Sequence, residues 1–475
     1  MPPDSDLPAA PAGLPPARPG LLDRLDFLKR LGLGRPDLRA WAMYDVANSA
    51  AVTTIVTAVF PIYFAKVAAA ELPPTRATQA VAVANTVSLV LVAALAPVLG
   101  ALVDLRPWKK RVLATFAAVG VLASAAMFLV GRGDWLLAAA LLALVSVGLN
   151  GSFVAYDALL PHVAREDELD RVSTAGYALG YLGGGALLAA QLAVILSPGL
   201  AGIPSGPGAS PDALTLPSRL AFLTTGLWWA LFTVPLLRRV REPAISGEGV
   251  GEGLGAALGG ALRRLGGTFR TLARHRQALL MLAAFLLYND GIGTIIRMAA
   301  AYGTEIGLGQ GTLVGAILMV QFLGIPFAFA FGGLGERFGA KRMVVVGLGV
   351  YTVIAVLAYF TTTAAHFWTL AVLVAVVQGG TQALSRSLFA TLVPRHLSGE
   401  FFAFFSVSEK FAGIFGPLLF ALAIEASGSS RAAILSVIVF FVAGGALLAR
   451  VDVARGQAEA REAERAAGPP HPSGR

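Results

Sequence analysis

The chain has 475 residues, of which 56% are hydrophobic and only 14% charged, and it contains no cysteine. Soluble domains average about 25% charged residues, so this chain lacks the charge to coat a soluble surface of its size; the mean hydropathy of +0.71 agrees. Without Cys, disulfides, thiolate catalysis and Cys-ligated zinc or iron–sulfur centres are excluded. The net charge of +9 would suit nucleic acid only if the basic residues clustered on a soluble face.

Residues 1–36 are rich in proline between Pro2 and Pro19 and read as a disordered tail, with no basic–apolar–small-residue order and hence no expected signal peptide. A bilayer core about 30 Å thick needs roughly 20 apolar residues per helix. Runs of that kind lie at 39–65, 78–103, 112–131, 135–160, 172–197 and 218–237, and again at 278–301, 312–335, 343–363, 367–393, 401–426 and 431–449. The spacing predicts a first six-helix bundle over 37–237, a cytosolic linker over 238–276, a second bundle over 277–449 and a cytosolic tail over 450–475. Of the 37 basic residues, 29 fall on one side of this topology and four (Lys66, Arg76, Arg132, Arg431) on the other. That bias places both termini and the linker in the cytosol and leaves no clustered basic patch for nucleic acid.

The two sets of runs repeat one another. Gly100-Ala-Leu-Val-Asp104 with Arg106 and Lys109-Lys110 parallels Gly332-Gly-Leu-Gly-Glu336 with Arg337 and Lys341-Arg342. Leu159-Leu160-Pro161 parallels Leu392-Val393-Pro394, and Ser173 with Gly180 parallels Ser406 with Gly413. Parallel six-helix repeats put the substrate site near the midplane, between the halves. The 100–111 and 332–342 elements resemble the signature loop of the major facilitator superfamily, G-x-L-x-D-R-x-G-R-R. The second copy keeps Glu336-Arg337 and Gly339, while the first has Pro107-Trp108 where the family prefers a glycine-containing turn.

Local runs resemble one branch, the autophagy-related vacuolar effluxer family with its bacterial members. They are Trp41-Ala-Met-Tyr-Asp45-Val-Ala-Asn48-Ser49, Tyr177-Ala-Leu-Gly180, Leu287-Tyr-Asn-Asp290-Gly-Ile-Gly-Thr294, Gln382-Ala-Leu-Ser385-Arg386-Ser387, Glu409-Lys410-Phe411 and Gly416-Pro417. The resemblance covers about 39–449. It implies an all-α membrane protein with twelve transmembrane helices in the major facilitator fold, a small-molecule substrate such as an amino acid, and residence in a bacterial inner membrane.

An ionisable group at membrane depth is costly, so each is a candidate for function. In the first run Asp45, Asn48 and Ser49, next to Tyr44, share one face at i, i+3 and i+4; they line a cavity or clasp a neighbouring helix. In the seventh, beside Tyr288 and Asn289, Asp290, Thr294 and Arg297 share a face at i, i+4 and i+7. Asp290 and Arg297, about 10 Å apart along the axis, share a zwitterionic substrate, or else Arg297 snorkels outward and Asp290 is a structural hydrogen-bonder. Arg386 and the pair Glu409-Lys410 lie at matching depths in adjacent runs, as a coupling pair or a structural salt bridge. Asp157, four residues before Pro161, suits an inner gate. Gly176, Gly180 and Gly184, echoed by Gly413 and Gly416-Pro417, read as helix-packing positions.

Gly131-Arg-Gly-Asp134 with the Tyr-Asp pairs at 44–45 and 156–157 mimics an intramembrane aspartyl protease, but Asp134 falls in a loop and the chemistry needs two facing acids. There is no phosphate-binding G-x-x-x-x-G-K-[ST] motif, no cofactor motif and no histidine cluster for a metal, so no enzyme is expected. Two readings survive. One is a monomeric secondary transporter moving a small organic solute by alternating access and coupled to protons through Asp45, Asp290 and Glu409. The other is a non-transporting sensor, lipid-handling or scaffold protein on the same fold.

Overall fold

The computed structural model describes residues 33–105, 108–164, 169–206, 208–242, 254–394, 401, 405 and 413–466. Every regular element among them is helical, as a hydrocarbon solvent requires, because each backbone N–H and C=O must be paired within its own segment. The first half comprises α1 (Pro36–Ala68), α2 (Pro74–Leu105), α3 (Lys109–Ala126), α4 (Trp135–Val163), α5 (Leu169–Leu196) and α6 (Pro211–Arg239). The linker carries α7 (Leu254–Arg274). The second half comprises α8 (Arg276–Glu305), α9 (Gln310–Phe338), α10 (Ala340–Tyr359), α11 (Ala364–Thr391), α12 (Phe415–Ser427) and α13 (Ser430–Ala449), followed by α14 (Val453–Ala466). Eleven helices among the described residues are long and apolar enough to cross a membrane; α12, with 13 residues, is the described end of the eleventh run.

Turn chemistry sets the helix ends. Ser210, Thr363 and Ser429 accept the backbone N–H three residues on, at 3.2, 3.3 and 3.4 Å, and so cap α6, α11 and α13. Gly339, at φ 91°, occupies a backbone conformation that L side chains rarely adopt and makes the α9–α10 corner. Asp134 closes the α3–α4 turn by accepting the Gly131 N–H at 2.8 Å, so the protease-like motif is loop structure.

α1 packs on α5 and α6, α8 packs on α13, and the halves meet where α2 lies against α12 and α5 against α9. Clasps repeat between the halves. Tyr63 of α1 donates to the Val130 carbonyl (2.6 Å), as Tyr302 of α8 does to the Ala358 carbonyl (2.7 Å). The hydroxyls of Tyr288 and Ser385 meet at 2.5 Å, and Tyr44 meets Ser152 in the same place in the first half.

The polar linker expected over 238–276 carries α7, and the tail over 450–475, in which some helix is expected, carries α14. α7 exposes Arg263, Arg270 and Arg274 and buries Thr268 and Leu272. α14 lays Gly456 against Leu392 and Gln277 and buries Ala460. Small and apolar residues at helical spacing give each an inner stripe that composition alone conceals.

Of the repeated basic loops, Lys341 caps the end of α13 by donating to the Ala449 (2.9 Å) and Val451 (2.7 Å) carbonyls, where a cation suits the negative helix end. Arg337 lies exposed over the Phe338 ring, and Lys109 is buried at the start of α3. Gly100, Asp104, Gly332 and Glu336 belong to helical backbone whose side chains, like Arg106, lie outside the described residues. Most of the tail expected over 1–36 also lies outside them.

The two halves fill one equivalent contact differently. Where α3 meets α6, Gly120 receives the Trp229 ring; where α10 meets α13, Tyr351 stacks on Phe441 at 5.4 Å. Gly120→Leu should therefore destabilise the first half by about 1–3 kcal/mol through overpacking. Gly349→Leu, with open space around it, should leave the melting temperature near that of the parent chain; thermal melts followed by size-exclusion chromatography check both.

Candidate functional site

α1 is the most unusual helix of the bundle. Its hydrogen bonding widens to i→i+5 over Val52–Ala58 and again over Phe64–Ala68; such π-type turns inside α-helices concentrate at functional sites. About two turns before the first of them sits Asp45, only 7% exposed. Its Oδ2 accepts the Tyr156 hydroxyl of α4 at 2.7 Å. Trp41 stacks on the Tyr156 ring (4.3 Å between centroids, 11° between planes) and its indole N–H donates to the Tyr156 carbonyl at 3.3 Å. The Tyr44 ring closes the cluster at 5.0 Å. Asp157, next in sequence, is exposed, and its negative charge acts on Asp45.

The same face of α1 is seated on α5. A Cβ at Gly176 would strike the Asp45 carboxylate, one at Gly180 would lie 2.5 Å from Ser49 Oγ, and one at Gly184 would lie 3.1 Å from the Ser49 carbonyl. A side chain at these positions would push the two helices apart. Beyond them, Thr54 donates to Gln191 Oε1 at 2.7 Å, and the Gln191 amide donates to Ala221, Thr224 and Thr225. One buried amide thus ties α1, α5 and α6 together.

Between the halves lies a cavity of about 360 Å³. α1 supplies Asp45, Asn48, Ser49, Val52, Thr53 and Thr57, while Phe153 and Tyr181 come from α4 and α5. The second half contributes mostly apolar walls, such as Ile295, Ile296, Ile317, Val320, Ile354 and Val374, with Gln321 and Gln378 as polar points. Asp45 is the one ionisable acid, and there is no Lys, Arg or His, among the described lining residues. Asn48 is 1% exposed, and its Nδ2 has no hydrogen-bond partner.

Asp290, Thr294 and Arg297 face elsewhere. Ile295, Ile296 and Ala299 turn the cavity side of α8 inward, while the polar face turns to α12. Asp290 Oδ2 accepts the Gly416 N–H of α12 at 2.9 Å. Asp290 thus bonds the backbone of the eleventh run just before its buried Pro417. A Cβ at Gly416 would lie 2.7 Å from Asp290 Oδ1, and one at Gly413 would lie 3.0 Å from Arg297 Nη2. Asp290 Oδ1 and Arg297 Nη1 are buried without hydrogen-bond partners. Asn289 lies within reach of Gln382 Nε2 at 3.5 Å. Arg386 is exposed on α11, and its charge acts on Tyr181, which lines the cavity. Glu409 and Lys410 lie outside the described residues.

A polar seal joins the halves at the end of the bundle opposite α7, here the distal side. Glu305, the last residue of α8, accepts the hydroxyls of Thr75 (3.2 Å) and Thr78 of α2 and of Ser430 (2.5 Å) of α13. Glu425 of α12 accepts Arg76 (2.5 Å) and Gln79 (2.8 Å) of α2. Both acids occupy helix C-terminal turns, which repel negative charge, and both answer the positive N-terminal turn of α2. Glu305 is missing from the sequence-based candidates because an acid at a helix end looks interfacial. The available signal is that its sign is wrong for a C-terminus and so demands a partner.

This fold and site define a transporter of the major facilitator type. Residues 34–461 match the family model described as vacuole effluxer Atg22 like, and the chain belongs to that family. It is 37% identical over 414 residues to an uncharacterized MFS-type transporter, YxiO, of Bacillus subtilis (strain 168), covering 87% of this chain and 94% of that one. It is 25% identical over 421 residues to autophagy-related protein 22-1 of Phaeosphaeria nodorum, covering 75% and 73%. Among solved structures, the fold is shared with a D-xylose-proton symporter (TM-score 0.61, 14% identity, 87% and 96% covered). It is also shared with an inward-facing, unoccupied bacterial homolog of the human lysosomal transporter Spinster (TM-score 0.58, 12% identity, 91% and 98% covered).

The Asp290 bond makes a testable distinction. Asn keeps an oxygen that accepts the Gly416 N–H, whereas Leu leaves that donor unpaired, at a cost of about 1–3 kcal/mol. Thermal melts of Asp290→Asn and Asp290→Leu in detergent should therefore show the second well below the first.

Proposed function

We propose that the chain is a secondary active transporter that moves a small organic solute across a bacterial inner membrane by alternating access, coupled to protons, with α7 and both termini in the cytosol. The observation that carries this reading is the cavity itself. It lies between two six-helix halves, it carries a buried carboxylate on the most irregular helix, and it is walled on the distal side by bonds that join one half to the other. Alternating access needs that arrangement: a site at the junction and closures that break as the halves rock. The bonds of Glu305 and Glu425 cross from one half to the other, so rocking open on the distal side must break them.

Asp45 and Asp290 are proposed as the proton-carrying groups, together with Glu409. Asp45 touches the solute space. Asp290 accepts a backbone N–H of α12, and a proton on it weakens the bond that positions this helix against α8. The 29-to-4 distribution of basic residues supports the orientation.

Proteoliposome uptake with and without an imposed pH gradient tests transport and its coupling. Gradient-driven accumulation should appear in the parent chain and vanish in the Asp45→Asn, Asp290→Asn double variant. Unchanged accumulation in the double variant overturns the coupling assignment, and a chain that moves no solute in any gradient is a sensor or scaffold.

The absence of cysteine provides a clean background for labels that read the conformation. Spin labels at Pro73→Cys and Ala426→Cys, both exposed beside the seal, should report a distance that lengthens in a Glu305→Gln, Glu425→Gln background, as the distal side opens. A distance unchanged by those substitutions removes the two acids from the gate.

A further inference from the structure

We propose that the solute is an amine: a small organic cation whose charged nitrogen meets Asp45 and whose apolar body lies against the second half. This rests on the transport reading above and names the solute for the same cavity.

The two walls of the cavity differ in kind. On the α1 side, Asp45, Asn48 and Ser49 form a compact polar patch with one carboxylate, backed by Gly176 and Gly180 so tightly that the patch has no room to retreat. Across from it stand Ile295, Ile317 and Ile354. A buried carboxylate needs a partner of opposite charge or hydrogen bonds. The Tyr156 hydroxyl supplies one bond to Oδ2 and holds the group in place, leaving capacity for a charge-assisted bond to a ligand N⁺–H. The exposed Asp157 adds negative charge close by.

A zwitterion such as an amino acid brings a carboxylate as well. Among the described lining residues no Lys, Arg or His receives it. Arg297 lies toward Gly413, Arg386 acts on Tyr181 from α11, and neither is among the lining residues. A neutral solute leaves Asp45 without its counter-charge. Asp45 on one wall and the apolar residues on the other thus suit one positive charge on an apolar frame.

Three probes with one shared frame test the idea: phenethylammonium, its neutral counterpart 2-phenylethanol, and zwitterionic phenylalanine. Binding to the purified full-length protein in nanodiscs is measured by titration calorimetry, and movement by exchange of labelled probe in proteoliposomes. Phenethylammonium should bind about tenfold or more tightly than either relative, the scale of one charge-assisted hydrogen bond. Asp45→Asn, checked for folding by its melt, should bring phenethylammonium to within about threefold of 2-phenylethanol measured on the same variant.

Phenylalanine binding tightest, equal binding of all three, or no binding by any of them overturns the amine assignment. A preference that survives Asp45→Asn moves the site away from Asp45 and overturns it as well. If Asp45→Asn does not fold, the ranking of the three probes on the parent chain still decides. Binding of the amine without exchange across the bilayer overturns the transport reading and leaves the ligand class standing. Exchange of phenylalanine without the amine does the reverse.

Discussion

The bundle depends on one kind of contact: a polar helix face pressed against a neighbouring helix from which side chains have been removed. α1 brings Asp45 and Ser49 onto Gly176, Gly180 and Gly184, and α8 brings Asp290 and Thr294 onto Gly416. In hydrocarbon a carboxylate is tolerated only where protein surrounds it, and a glycine backbone comes closest of all. The position of each acid follows from this contact, and with it the bonds to Tyr156 and to the Gly416 N–H.

The repeat has been put to two uses. In the first half the carboxylate is held by a phenol and faces the space between the halves. In the second half it faces the backbone of a neighbouring helix and stays clear of that space. Symmetric folding thus supplies an asymmetric arrangement, with one acid on the cavity between the halves and one bonded to a helix backbone. The Tyr44–Ser152 and Tyr288–Ser385 pairs, common to both halves, leave the packing alike around acids whose surroundings differ.

Much of this was legible in the sequence. The twelve apolar runs and the internal repeat read directly, because membrane thickness fixes the length of a span. The shared face of Asp45, Asn48 and Ser49 also followed from 3.6-residue periodicity. Periodicity assigns residues to a face, however, and says nothing about which neighbour that face meets. For that reason Asp290, Thr294 and Arg297, read as a solute-binding face, are found against α12. Tyr156 was visible only as half of a Tyr-Asp pair, since its bond to Asp45 spans 111 residues. Gln191, Glu305 and the stripes of α7 and α14 were hidden for related reasons: each draws its meaning from a partner distant in the chain.

The distal seal also has an energetic consequence. Its Arg76–Glu425 pair is more than half exposed, and such pairs contribute only about 0–1 kcal/mol. The remaining bonds are hydroxyl and amide donors to carboxylates rather than a dry apolar plug. A closure built this way is shallow: a two-state equilibrium separated by a few kcal/mol keeps its minor state populated at roughly 0.1–10%. On the proposed alternating-access reading, a solute or a proton that favours one state by a modest margin can then reverse the balance, with the two acids of the seal among the contacts that set that margin.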